Sequence, residues 1–107
     1  MIKITKFIDD NGKCLFDVWL NGLRDSRAKA QILVRINRLR LGNEGLWRAV
    51  GNGVRELKVS TGKGYRVYYG WTGKEVVLLL CGGDKSTQDK DIQTALKIWS
   101  DYNGQNS

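Results

Sequence analysis

The sequence predicts an α+β domain in the order β-α-α-β-β-β-β-α, with two N-terminal helices packed on a mostly antiparallel sheet. Two observations predict it. Apolar residues recur at helical spacing in the first forty residues and again after residue 88, while the stretch between them reads as short strands separated by glycine turns. No repeat, linker or low-complexity segment interrupts the 107 residues, so residues 1–107 read as one domain.

Residues Ile2 to Ile8 are rich in β-branched side chains and read as a strand, closed by the turn Asp9-Asp10-Asn11-Gly12. Phe16, Trp19, Leu20 and Leu23 fall at i, i+3, i+4 and i+7, one face of a short helix. Asp25 or Ser26 is placed to cap a second helix, Arg27 to Leu41. Its apolar stripe is Ala28, Ile32, Ile36 and Leu39, and Gly42-Asn43 stops it. A turn this short predicts that the two helices pair as a hairpin.

The period then changes. Leu46 to Val50, Val54 to Ser60 and Tyr65 to Trp71 read as strands, and Glu75 to Cys81 reads as a central strand because its apolar run is continuous. Gly82-Gly83 is expected to be a turn that admits close backbone approach. Ile92, Ala95, Leu96 and Trp99 outline the last helix, with Ser86-x-x-Asp89 as its capping box.

Composition narrows the function. Hydrophobic residues make up 41%, enough for a core, and the longest apolar run, Val76 to Cys81, is far too short to span a bilayer. The N-terminus, Met1-Ile2-Lys3-Ile4, lacks the apolar region of a signal peptide, so the expected address is the cytoplasm, with no membrane partner. There is no histidine, which removes His-based triads and His metal ligands. Cys14 and Cys81 form no CxxC pair, so reduced thiols are expected, and no metal or cofactor site. The net charge is +7, and it is concentrated: Arg27 to Arg66 holds ten cations against Glu44 and Glu56, a local +8. Such a field draws polyanions, nucleic acid above all, although an acidic protein would answer it as well.

The hairpin register locates the chemistry. If Ser60 to Gly64 is the loop, Lys58 faces Arg66 and Glu56 faces Tyr68. Leu57, Val59, Tyr65, Val67, Tyr69 and Trp71 then share a core face with Arg55 at its margin, and Glu56, Lys58, Arg66 and Tyr68 share a polar face. A directly opposed Lys–Arg pair calls for an anion, or for Glu56, between them. Arg66 offers two parallel N–H donors to a phosphate, Lys58 a point charge, and Tyr68 a stacking surface or a proton. Arg35, Arg38, Arg48, Arg55 and Lys63 lie in the same basic window and are candidate nucleic-acid contacts.

Three segments together form a known pattern: Gly51-Asn52-Gly53-Val54-Arg55-Glu56-Leu57-Lys58, Gly64-Tyr65-Arg66-Val67-Tyr68-Tyr69 and Gly82-Gly83-Asp84-Lys85-Ser86-Thr87-Gln88. With Trp19-Leu20 upstream, this combination resembles the RelE/ParE toxin superfamily and, within it, the small phage-type HigB-like branch of addiction module killer proteins. The resemblance covers nearly the whole chain. It implies the toxin of a type II toxin–antitoxin system, and many such toxins cut messenger RNA on the ribosome without a metal, by attack of the ribose 2′-OH on the adjacent phosphorus. By motif match, Arg66 takes the role of the transition-state arginine, Lys58 that of a strand lysine acting as base or stabiliser, and Lys85 that of a basic residue after the last strand. RelE itself carries a second strand lysine where this chain has Glu56, and its C-terminal catalytic tyrosine falls near Ile92. That leaves Lys85 or Tyr68 as the acid and Glu56 as the base or a counter-ion. The implied partners are messenger RNA, the ribosome and an adjacently encoded helix-turn-helix antitoxin. A ParE-like inhibitor of DNA gyrase, or a non-catalytic binding protein, shares the same fold.

Overall fold

The computed structural model describes residues 1–106, with side chains through residue 104. The elements are β1 (Lys3–Lys6), α1 (Leu15–Asn21), α2 (Ser26–Arg40), β2 (Trp47–Gly51), β3 (Val54–Val59), β4 (Tyr65–Trp71), β5 (Val76–Gly83), a 3₁₀ turn (Lys85–Thr87) and α3 (Gln88–Asn106). The five strands form one sheet in the order β1-β5-β4-β3-β2. Only the β1–β5 pair is parallel. The α+β class and the element order agree with the sequence reading.

Asp25 caps α2 by accepting from the Ala28 N–H at 3.1 Å, and the buried residues of this helix are Ala28, Ile32, Ile36 and Leu39. The β2–β3 connection is tight: Gly51, Asn52 and Gly53 all take positive φ, a conformation costly for branched or bulky side chains. The β3–β4 register is the expected one, with Val59 opposite Tyr65, Lys58 opposite Arg66, Leu57 opposite Val67 and Glu56 opposite Tyr68.

Alternation along these strands builds two cores on one sheet. Leu57, Val59, Val67, Tyr69 and Leu79 pack with Phe16 of α1 and with Ile32 and Leu39 of α2. Val54, Tyr68, Leu78 and Leu80 pack with Ala95, Ile98 and Trp99 of α3. Burying full-sized apolar side chains on both faces supplies the main driving force for this arrangement.

α1 lies on β5 and α2 on β3 and β4, each apolar stripe meeting the sheet, and the two helices share one core through Phe16, Leu20, Ala28 and Ile32. Three expectations are corrected. β1 is shorter than Ile2–Ile8. Gly82 and Gly83 are not a turn but the end of β5, opposite Val67 and Arg66. Their lack of a side chain serves packing: a Cβ at Gly82 would run into the Trp19 ring, and one at Gly83 into the Asp91 carboxylate. Finally, the capping residue is Asp84 with Thr87 as its reciprocal partner, rather than Ser86 with Asp89. Cys14 is half-buried and Cys81 buried, both as free thiols, and burial pushes the Cys81 thiol up to about 12. Among the described residues no helix is long and apolar enough to cross a membrane.

Candidate functional site

The β3–β4 hairpin turns Glu56, Lys58, Arg66 and Tyr68 to the α3 side of the sheet. β2 adds Arg48 opposite Glu56. Gln88, at the start of α3, closes the end. Leu46, Trp47, Arg48, Glu56, Lys58, Arg66 and Gln88 line a cleft of about 320 Å³.

Glu56 is its centre, only 3% exposed. Its Oε1 accepts from Arg48 Nε at 2.8 Å, and its Oε2 accepts from the Tyr68 hydroxyl and from Gln88 Nε2, each at 3.0 Å. Burial opposes ionisation, but the bonds from Arg48, Gln88 and Tyr68 outweigh it and hold the Glu56 carboxyl below the usual range. Arg66 is 6% exposed. One guanidinium nitrogen, Nη1, donates to the Gly64 carbonyl at 2.6 Å. Its Nε lies 3.6 Å from Glu56 Oε1, too far for a hydrogen bond, and is buried without a partner. A buried N–H left unmade is costly, and the neighbouring Glu56 charge offsets part of that cost.

Lys58 is exposed at the mouth, and its ammonium has no partner among the described residues; Glu56 is not its counter-ion. Lys85 lines an adjoining depression that shares Gln88 with the cleft. It stands close to Arg66 all the same, since a Cβ at Gly64 would lie 3.3 Å from Arg66 Nη1 and 3.6 Å from Lys85 Cβ. The site is therefore two cations and a carboxylate in one cleft, with Arg48 at the rim and a further lysine beside it.

Other candidates lie differently. Tyr68 was expected to offer a stacking surface or a proton, but α3 covers its end of the polar face and Tyr68 is fully buried, so it offers no stacking surface. Burial and the bond to Glu56 push its phenol far above its ordinary value, making it a neutral donor. Arg35 and Arg55 are spent inside the molecule. Arg35 donates to the carbonyls of Lys58 (2.6 Å), Glu44 and Leu46 (3.4 Å each), and Arg55 holds both oxygens of Glu44 at 2.8 Å. Arg38 is exposed on α2, and Lys63 is exposed with Asp84 nearby. Sequence reasoning assigned no role to Gln88, Trp47 or Glu44. Gln88 closes the third quoted motif, but nothing in that motif signals a reach of 3.0 Å back to Glu56.

Residues 18–100 match the family described as phage derived protein Gp49-like (DUF891). A protein of Haemophilus influenzae, described as uncharacterized, is 54% identical over 80 residues, covering 75% of this chain and 81% of its own length. With more than half its length matched, on an α+β scaffold of the RelE kind, the chain belongs to the phage-derived Gp49-like family, a RelE-like, toxin-type family of toxin–antitoxin systems.

Proposed function

We propose that this protein is an endoribonuclease toxin that cuts messenger RNA on the ribosome, in the cytoplasm, and that an adjacently encoded helix-turn-helix antitoxin restrains it. The observation that carries the reading is the buried Arg66, whose Nε makes no hydrogen bond, in a cleft that also holds Lys58, whose ammonium has no partner among the described residues. A gyrase inhibitor needs no such phosphate site.

In the proposed reaction the ribose 2′-oxygen bonds to phosphorus and the bond from phosphorus to the 5′-oxygen breaks. The products are a cyclic phosphate and a free 5′-hydroxyl. Arg66 holds the oxygens of the phosphorane, where negative charge builds up. Glu56 is ionised, but both its oxygens already accept hydrogen bonds, so it is a positioning residue that aims Arg48 and anchors the site. Lys58, at the mouth of the cleft, is the general base that receives the 2′-proton. Lys85 delivers a proton to the departing 5′-oxygen. Arg48, at the rim, meets the neighbouring phosphate.

The test is expression of the wild type and Arg66→Ala, with growth and primer extension as readouts. The expected result is growth arrest and stops within translated messages for the wild type, and neither for the variant. Stops that persist in Arg66→Ala, or intact messages with accumulated cleaved DNA–gyrase complexes, would overturn the reading.

A further inference from the structure

Trp47 lines the cationic cleft and also a second cavity, of about 330 Å³, which it shares with Ala49, Gly53, Arg55, Trp71 and Trp99. We infer that this second cavity is a slot for an unpaired base of the RNA strand whose phosphate occupies the cleft. The inference rests on the proposed ribonuclease activity and names where the strand goes next.

Three observations support it. First, Trp47 is 39% exposed although large and apolar, and it is held in place: the Arg55 guanidinium lies 4.0 Å from its ring centroid while gripping Glu44 through two 2.8 Å bonds. A fixed aromatic plane backed by a cation stacks with any base, because every base has a π face. Second, the room comes from small residues. Gly53 has a φ of +93°, and a Cβ there would already lie 3.1 Å from Trp99 Nε1. Third, the two cavities meet at one residue, since Trp47 lines both. Trp47 and Arg48 are consecutive on the edge strand β2, about 3.3 Å apart along the strand, with side chains to opposite faces. A strand with its scissile phosphate at Arg66 and the next phosphate at Arg48 can lay a base over this edge, onto Trp47. With mostly apolar walls, recognition is by stacking rather than by base edges.

The experiment titrates the full chain at low salt with a short RNA methylated at every 2′-oxygen, which cannot be cut, and with the same backbone lacking its bases. Wild type is expected to bind the base-bearing strand about tenfold or more tighter. Trp47→Ala and Trp47→Leu (the latter keeping apolar bulk without a π face) are expected to lose that preference, and Trp47→Phe to keep most of it. Arg66→Ala is expected to weaken both strands alike and leave their ratio unchanged. Equal binding of the two strands by wild type, a preference that survives in Trp47→Leu, or no binding of either strand overturns the slot. If Arg66→Ala binds both strands as wild type does while Trp47→Leu loses the preference, the slot stands and the phosphate reading of the cleft falls.

Discussion

Glu44 and Glu56 lie on opposite faces of the β3–β4 hairpin with the same kinds of neighbour, an arginine and a tyrosine supplied by adjacent strand positions. Arg55 and Tyr69, opposed across β3 and β4, serve Glu44; Arg48 and Tyr68, opposite Glu56 on β2 and β4, serve Glu56, with Arg66 beside it. The Glu44 group is closed apart from the Trp71 indole N–H, which is buried beside it without a hydrogen bond. Arg55 reaches both carboxylate oxygens at 2.8 Å, the Tyr69 hydroxyl donates at 2.6 Å, and Arg35 ties the Glu44 carbonyl to β3. The Glu56 group is open. Its carboxylate is saturated, yet Arg66 Nε makes no hydrogen bond, and Lys58, at the mouth, has no partner among the described residues. A closed network is a structural clasp, here holding the 41–46 loop that forms one wall of the cleft. An open one has a donor to spare for a ligand. The two should therefore fail in different ways when mutated.

The largest expected effect is on activity. Arg66→Ala removes the charge clamp and should cost about 3 kcal/mol of transition-state stabilisation, roughly a hundredfold in cleavage rate. Glu44→Ala should act on stability instead. It leaves Arg55 and Tyr69 without their acceptor and should cost about 2–3 kcal/mol, read as a fall of about 10 °C or more in thermal midpoint. Loss of cleavage at unchanged stability in Glu44→Ala would break the comparison. Gly82→Ala should cost about 1–3 kcal/mol by forcing Trp19 out of its place, and the same substitution at an ordinary turn would be nearly silent. Lys58→Ala should slow cleavage about a hundredfold and shift stability by less than about 0.5 kcal/mol, since its ammonium makes no hydrogen bond or ion pair among the described residues.

The smallest effect is on pH dependence. Both carboxyls are held below their ordinary value: burial acts against ionisation, and hydrogen bonds overcome it, chiefly from Tyr69 and Arg55 at Glu44 and from Arg48, Gln88 and Tyr68 at Glu56. A depressed carboxyl contributes stability that is fully present above its unfolded value, about 4.3, and is lost as pH falls through the lower folded value. Urea titrations from pH 6 down to pH 2 should show this loss in wild type. Glu44→Gln and Glu56→Gln should each show a shallower decline.

Local signals settled a good deal. The helical stripe Ala28, Ile32, Ile36, Leu39 is the buried face of α2, and the loop Ser60 to Gly64 set a register that places Lys58 opposite Arg66. Both follow from periodicity, which is a property of neighbours along the chain. The glycines after β5 misled for the same reason. Locally Gly82-Gly83 reads as a turn, but its cause is the Trp19 ring, more than sixty positions earlier.

From sequence alone came the α+β class, the basic bias and the choice of which side chains share a sheet face, because each depends on spacing and composition. Tertiary structure decided that α3 covers the polar face, that Glu56 answers Arg48 rather than Lys58, and that Arg35 and Arg55 turn inward to the 41–46 loop. These depend on which distant segments meet, and the energy of a buried charge is set by those meetings rather than by its place in the chain.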